Sequence, residues 1–236
     1  MSVCPAAREA GGSFRYALRR SNWGDGGPVA DPERASVEAA RRARGKVRRY
    51  CAANRLNRLG TLTFRGEGCH DPVVLRVLVG RFFRSLREAT GGEPFAYLWT
   101  AEWHKTGHGL HVHFAVGQFI KRSLIDQAWG HGFVHIKLLG DLPVGSGPID
   151  EARVAAGYMS KYVGKAFDEA RIPGLHRYEV AQGFQPAIVA VWGRTAGGAI
   201  DAASLLMGCD PTVRWSSADV DDWGTKPPSV WAQWPG

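Results

Sequence analysis

Two segments of the chain alternate apolar and polar residues, which is the pattern of half-buried β-strands. They cover residues 95–103 and 109–116, and the Lys105-Thr106-Gly107-His108 sequence between them is typical of a short turn. Residues 60–64 and 133–139 are predicted as further strands. The polarity pattern therefore predicts four strands, two of which are consecutive and joined by a tight connection.

Helices are predicted where apolar residues recur every three or four positions. Asp31-Pro32 and Asp71-Pro72 each place an N-cap residue before a proline at the first helical position, and each opens a helix. A short helix follows over 121–129, and the most regular helix covers 151–167. The order β-α-β-β-α-β, then a helix, predicts an α+β fold. We expect a split-βαβ antiparallel sheet with helices on one face and a separate last helix.

The composition divides the chain into four segments. We predict a poorly ordered N-terminal segment over 1–30, a basic helical arm over 31–59, a main domain over 60–195, and a C-terminal helix with a Trp-rich tail over 196–236. The indoles of the tail could stack on unpaired bases or anchor the tail to the surface of the domain, and we favour anchoring. They belong to Trp215, Trp223, Trp231 and Trp234.

The charge of the chain favours a polyanionic partner. The 236 residues carry a formal net charge of +8, and 44% of them are apolar, which suits a well-buried domain. Eight cations and no acidic residue lie between positions 41 and 58, whereas a solvated helix normally mixes both signs. We therefore predict that these side chains bind DNA: Arg41, Arg42, Arg44, Lys46, Arg48, Arg49, Arg55 and Arg58.

The cysteines and the hydropathy indicate the compartment. The four cysteines are scattered and form no C-x-x-C pair, which argues against a zinc knuckle and against a disulfide framework. No window approaches the roughly 18 apolar residues of a membrane span. We expect a soluble, cytoplasmic protein with no membrane partner.

The two central strands are predicted to assemble a metal site. Residues alternate between the faces of a strand, so His111 and His113 share one face, and Glu102 lies on one face of the preceding strand. If the turn is a four-residue loop over 105–108, Glu102 lies directly opposite His111. Two imidazoles and a carboxylate suit a divalent metal with open positions. We favour Mg²⁺ or Mn²⁺ over zinc, and His104 or His108 could replace Glu102 as third ligand.

The helix over 151–167 carries two tyrosines beside its apolar stripe. Tyr158 and Tyr162 are four residues apart, which places both hydroxyls on one side of the helix, together with Lys161 and Lys165. A phenol with a pKa near 10 is a weak nucleophile at neutral pH, and we expect a nearby ammonium group to favour the phenolate. Phosphoryl transfer to a tyrosine is the chemistry that this helix and a metal could perform together.

In these residues the chain resembles the HUH endonuclease superfamily, and in particular the rolling-circle replication initiators of plasmids and small phages. The resemblance rests on T-L-T-F at 61–64, H-V-H at 111–113 with Glu102 upstream, and Y-M-S-K-Y at 158–162. It spans roughly residues 47–192. It implies an HUH endonuclease domain that nicks single-stranded or hairpin origin DNA, leaves a 5′-phosphotyrosine and a free 3′-OH, and later rejoins the strand.

The resemblance also implies roles for single residues. His111, His113 and Glu102 would be the metal ligands, and Tyr162 the first nucleophile. Tyr158 would be the second nucleophile of the two-tyrosine group, or would simply pack. Lys161 would position phosphate or hydroxyl, and Lys165 is a further candidate DNA contact. Unwinding and synthesis would fall to a host helicase and polymerase. A rolling-circle transposase, a phosphohydrolase that activates water, and a non-catalytic nucleic-acid-binding domain are the alternatives.

Overall fold

The computed structural model describes residues 1–14, 32–137, 139, 145–168, 172–221, 223 and 228–236. The strands are β1 Ser2–Cys4, β2 Glu9–Ser13, β3 Arg58–Leu62, β4 Tyr97–Trp103, β5 Leu110–Val116, β6 Val134–Lys137, β7 Glu179–Val180, β8 Val189–Ala190, β9 Val213–Ser216 and β10 Ser229–Gln233. The α-helices are α1 Pro32–Ala53, α2 Pro72–Ala89, α3 Arg122–Trp129, α4 Pro148–Asp168 and α5 Ala196–Met207. No helix in these ranges is both long and apolar enough to cross a membrane.

The chain forms two compact units. The larger one is Ser36–Gln185, and the smaller one combines Met1–Ala35 with Pro186–Gly236. The larger unit contains an antiparallel sheet with the strand order β6-β3-β5-β4-β7. Its chain order β3-α2-β4-β5-α3-β6 confirms the predicted α+β, split-βαβ fold.

One face of this sheet is covered by α2 and α3. Asp71 starts α2 as the predicted N-cap, because its carboxylate accepts hydrogen bonds from the backbone N–H groups of Val73 and Val74. The N-cap predicted at Asp31 lies outside the described residues. Phe82 of α2 and Trp129 of α3 are fully buried against Phe114 of β5 and form edge-on aromatic pairs. This apolar layer makes the central hairpin rigid.

The opposite face carries α1 and the tyrosine-bearing helix α4. Buried Val47 and Tyr50 of α1 pack in the same core as Met159 and Val163 of α4. Their partners on the sheet include Leu59, Leu98 and Ala115. The helix predicted as a basic arm over 31–59 is therefore part of the domain, because apolar residues recur along it at helical spacing. Helix α4 is separate from α2 and α3, as predicted.

The smaller unit corrects two expectations. Residues predicted to be poorly ordered form β1 and β2, which pair with β8 and β10 in a sheet of order β8-β1-β2-β10-β9. The Trp-rich tail supplies β9 and β10, and Trp234 is fully buried beside α5. Trp215 and Trp223 pair edge to face. Pairing with distant strands compensates for the low apolar content of these segments.

Arg8 connects three parts of the smaller unit. Its backbone is left-handed, and its guanidinium donates to the carbonyl oxygens of Pro235 at 2.6 Å and Met207 at 3.0 Å. It also contacts Cys209 Sγ at 3.1 Å. Because Met207 is the last residue of α5, Arg8 satisfies a terminal helix carbonyl with a cation, which is favourable at a helix C-terminus.

Candidate metal and tyrosine site

The hairpin of β4 and β5 has the predicted register. Glu102 pairs with His111 and Trp103 with Leu110, and the backbone N–H of His104 donates to the carbonyl of Gly109 at 2.8 Å. Directly paired residues of antiparallel strands point to the same face. Glu102, His111 and His113 therefore all lie on the face that α4 covers.

Three ligand-type atoms converge at this point. His111 Nε2 lies 3.0 Å from His113 Nε2, and Glu102 Oε2 lies 3.3 Å from His113 Nε2 and 3.6 Å from His111 Nε2. Two atoms that bind one ion at about 2.1 Å and at right angles are about 3.0 Å apart. Among the described residues, Glu102, His111 and His113 form the group that can hold a metal ion. The spacing and the mixed nitrogen and oxygen donors both fit a divalent metal.

The alternative third ligands are engaged elsewhere. His104 Nδ1 contacts Thr106 Oγ1 at 2.6 Å within the turn, and His108 Nε2 contacts the carbonyl of Phe64 at 3.1 Å. His135, which we expected to be a hydrogen-bonded structural residue, is exposed on β6 opposite Thr61 and has no hydrogen bond within the described residues. The carboxylate of Glu102 is thus the third member of the group.

Thr61 orients one of the imidazoles. It pairs with His113 across β3 and β5, and its hydroxyl lies 3.0 Å from His113 Nδ1. A metal-binding imidazole usually donates its other N–H to such an acceptor, which fixes the ring and its tautomer. The T-L-T-F motif drew attention to this strand without predicting the contact. His111 Nδ1 is buried and has no hydrogen-bond partner in the described part of the chain.

Burial keeps both imidazoles in the neutral form. It lowers the pKa of His113 to about 4, and the nearby His111 lowers it further while Glu102 opposes the shift. The pKa of His111 is also lowered, mainly by burial. Neutral imidazole is the form that binds metals. At neutral pH the site therefore has its nitrogen lone pairs available.

Glu102 is held in its charged form by a lysine of the tyrosine helix. Burial alone would raise the pKa of Glu102, but the hydrogen bond and positive charge of Lys165 outweigh it, so the pKa is lowered. Lys165 Nζ contacts Oε1 of Glu102, whereas Oε2 faces the histidines. Lys165 was predicted as a DNA contact, and the structure places it inside the site.

The two tyrosines lie together over the metal-ligand group. The ring of Tyr162 stacks on the ring of His113, with the centroids 3.6 Å apart and the planes at 22°. The hydroxyl of Tyr158 lies 2.6 Å from that of Tyr162. The expectation from helical spacing, that both hydroxyls share one side, is confirmed.

The ionisation of Tyr162 differs from the expectation. Burial, the hydrogen bond to Tyr158 and the negative charge of Glu102 all raise the pKa of Tyr162. Lys161 is exposed and has no hydrogen bond or ion pair within the described residues, because it follows a different direction around the helix. The lysine that enters the site, Lys165, neutralises Glu102 instead of the phenol. The phenol of Tyr162 is thus protonated at neutral pH.

The basic cluster of α1 separates into different environments. Arg41 pairs with Glu38, and Arg58 donates to Asn57 Oδ1 at 2.7 Å. Arg55 donates to the carbonyl oxygens of Ala52 and Ala53 at the end of α1. Burial, more than the charge of Arg153, lowers the pKa of Arg55. Arg55 therefore caps its own helix.

The remaining cations of α1 are better placed for a ligand. Arg42, Arg44 and Lys46 are exposed, and Arg48 and Arg49 are half-buried. A Cβ atom added at Gly164 would lie 3.3 Å from Arg44 Nη1, so the guanidinium of Arg44 lies against α4 shortly after Tyr162. Positive charge from α1 thus extends to the tyrosine helix.

Comparison with known proteins gives one match. Residues 57–167 match the family model of the ORF2-type replication-associated proteins. The matched segment begins just before β3 and ends near the end of α4, so it includes Thr61, Glu102, both histidines and both tyrosines. No curated protein and no solved structure shows significant similarity to the chain. The match supports a role in the initiation of replication.

Proposed function

We propose that this chain is a replication initiator that nicks and rejoins single-stranded DNA through a covalent bond to tyrosine. The observation that carries the proposal is the stacking of Tyr162 on His113, because it joins a nucleophile to a metal-ligand group. The match of residues 57–167 to replication-associated proteins supports the biological context. The finer assignment is a two-tyrosine HUH endonuclease of the rolling-circle type.

The metal in this proposal is Mg²⁺ or Mn²⁺. Glu102, His111 and His113 would hold it through two nitrogen atoms and one oxygen atom. A divalent ion bound there would withdraw charge from the scissile phosphate and would make ionisation of a neighbouring phenol easier. Thr61 would keep the ring of His113 in the orientation that aims Nε2 at the ion.

Tyr162 would be the first nucleophile. Its phenol oxygen attacks phosphorus, the bond between phosphorus and the 3′ oxygen breaks, and the phenolic proton ends on the departing 3′ oxygen. The products are a 5′-phosphotyrosine ester and a free 3′-OH. Rejoining is the reverse reaction, in which a 3′-OH attacks the ester and the tyrosine leaves. The fixed ring of Tyr162 limits the positions its oxygen can take, which favours in-line attack.

Tyr158 would serve the second transfer. Its hydroxyl already exchanges a hydrogen bond with Tyr162, so either oxygen can approach the same phosphate with a small rotation. Lys161, exposed between the two tyrosines in the sequence, would hold a phosphate oxygen of the bound strand. Lys165 would keep Glu102 ionised and could contact the strand with its exposed portion.

The partner in this proposal is single-stranded or hairpin origin DNA in the cytoplasm. Arg42, Arg44 and Lys46 would contact its phosphates, because they are exposed and Arg44 adjoins α4. A host helicase would unwind the duplex, and a host polymerase would extend the 3′-OH.

The test is a denaturing gel of the protein incubated with Mn²⁺ and end-labelled single-stranded oligonucleotides from DNA flanking its gene. We expect a covalent adduct that is lost in Tyr162→Phe and with EDTA. Tyr97→Phe is the matched control, because Tyr97 stacks on Phe83 in the core on the other side of the sheet. Cleavage without an adduct would show that water is the nucleophile. Binding without cleavage would indicate a non-catalytic domain.

A further inference from the structure

A groove opens beside the metal and tyrosine site, where β3 begins and β6 ends. Its volume is about 450 Å³, which is within the usual range for small-molecule sites. The lining combines buried apolar side chains with three cations, one carboxylate and one exposed aromatic ring. None of these residues belongs to the metal-ligand group or the tyrosine pair.

The floor of the groove is apolar because Phe114 leans across the sheet. A Cβ atom at Gly60 would lie only 2.3 Å from Phe114 Cζ, so the ring occupies the space that a side chain on β3 would fill. Leu59 and Val116 are buried beside it, and Ile136 is partly buried. A flat apolar ligand could contact this floor without displacing any side chain.

The mouth of the groove is positively charged and aromatic. The ring of Phe119 is 73% exposed, and the guanidinium of Arg58 lies 5.9 Å from its centroid. Lys137 is exposed on the opposite side. An exposed aromatic face between cations is the arrangement that binds an unpaired base and its flanking phosphates, because bases stack on aromatic rings and phosphates pair with cations.

A fixed hydrogen-bond acceptor lies in the wall. Glu151 Oε2 accepts from Asn57 Nδ2 at 2.5 Å, and Asn57 Oδ1 accepts from Arg58 at 2.7 Å. This chain orients the carboxylate and leaves Glu151 Oε1 without a hydrogen-bond partner among the described residues. A carboxylate accepts from the exocyclic amino group of cytosine and has no donor for the carbonyls of thymine.

The groove is continuous with the tyrosine pair. The ammonium group of Lys137, which lines the groove, lies 4.7 Å from the centroid of the Tyr158 ring. A DNA strand with a phosphate at the tyrosines would thus have a neighbouring nucleotide within reach of the groove, and Lys137 could contact the phosphate between them.

We infer that this groove binds one unstacked, amino-bearing base of the DNA strand, stacked on Phe119 and hydrogen-bonded to Glu151. The inference rests on the proposed function, because it takes single-stranded DNA as the ligand. It adds a reading of base identity next to the position of cleavage. The three cations favour a nucleotide over an apolar peptide, since a peptide would not need the positive rim.

The first test measures affinity without chemistry. The Tyr158→Phe, Tyr162→Phe double variant is titrated into fluorescent dC and dT oligonucleotides at low salt, and anisotropy gives Kd. Adding Phe119→Ala should weaken binding of the dC strand about tenfold or more, as loss of one base stack does. Val77→Ala, an equally simple truncation of a side chain that is 49% exposed on α2, should leave Kd unchanged. Equal affinities in both truncations would overturn the inference.

The second test addresses the acceptor. We expect the double variant to bind the dC strand about tenfold more tightly than the dT strand, as one good base contact allows. Glu151→Gln keeps the bond to Asn57 but adds an amide donor, so the preference for dC should largely disappear. A preference unchanged by Glu151→Gln would refute the role of Glu151. Because no step here requires cleavage, these outcomes are independent of the adduct gel, on which the proposed nicking reaction depends.

Discussion

Lys165 of the tyrosine helix donates to one oxygen of Glu102, while the other oxygen of Glu102 faces the two histidines. The carboxylate thus belongs to the sheet by sequence and to the helix by its hydrogen bond. Any displacement of α4 would move a candidate metal ligand together with Tyr158 and Tyr162. The ligand group and the nucleophiles are therefore held in one geometry by a single charged contact.

Removing this contact should change the pH dependence of metal binding. Lys165 lowers the pKa of Glu102, so Lys165→Met should raise it and shift the midpoint of Mn²⁺ binding to higher pH. Calorimetric titrations of Mn²⁺ between pH 4 and 8 would measure the shift. Lys161→Met is the matched control, because Lys161 is exposed and contacts no described residue. A midpoint equal to that of the wild type would exclude the proposed coupling.

The histidines should be necessary for metal binding and for nicking. His111→Ala or His113→Ala should weaken Mn²⁺ binding by at least about 100-fold and abolish the covalent adduct, while far-UV circular dichroism stays unchanged. His135→Ala is the control, since His135 is exposed on the same face of the sheet. Full activity in either of the first two variants would eliminate the metal site.

The stability of the metal-free protein should fall as the solution is acidified. The pKa of His113 is about 4 in the fold and about 6.5 in the unfolded chain, so unfolding takes up a proton between these pH values. Stability is therefore lost as pH falls from 6.5 to 4. His113→Gln removes this uptake, so its free energy of unfolding should gain on the wild type by on the order of 3 kcal/mol over that interval. Urea titrations with EDTA at pH 4 and pH 7.5 measure it, and parallel profiles would contradict it.

Tyr158→Phe should separate the two transfers. The first nick requires Tyr162, which remains, whereas rejoining or a second transfer should fail. The hydrogen bond to Tyr158 raises the pKa of Tyr162, so the pH profile of the first nick should also move to lower pH. A time course of adduct formation and release on the gel would resolve both effects. If neither step changes, Tyr158 has only a packing role.

Binding of single-stranded DNA should depend steeply on salt. Replacing Arg42, Arg44 and Lys46 with Gln should reduce the slope of log K against log salt by about 2, since each phosphate contact contributes about 0.7. Arg55→Gln removes the same kind of charge but should leave the slope unchanged, because Arg55 caps its own helix. Anisotropy titrations at several salt concentrations would compare them. A slope unaffected by the triple replacement would place the DNA contacts elsewhere.

The parts of the site that were predictable from sequence depend on local periodicity. The alternation of β4 and β5 with a short turn was enough to place Glu102 opposite His111. The spacing of Tyr158 and Tyr162 was enough to place both hydroxyls together. In both cases the geometry of one element or one hairpin determines the result, so no knowledge of distant packing was needed.

The remaining features depend on contacts between distant segments. The position of Lys165 follows from where α4 packs across the sheet, which the helical pattern alone does not specify. The same packing buries Tyr162 and raises its pKa, contrary to the expectation of an activated phenol. Arg55 looked like a DNA contact because its charge is visible in the sequence and its left-handed backbone is not.

The pairing of β2 with β10 has a consequence for the order of folding. Ser13 and Ser229 are hydrogen-bonded although 216 positions separate them, and every residue of the larger unit lies between them. During synthesis the larger unit can fold while β2 still waits for its neighbour. Such non-local pairing forms slowly. A chain cleaved before β10 would keep a catalytic core but expose the edge of β2, which makes aggregation the expected fate of incomplete products.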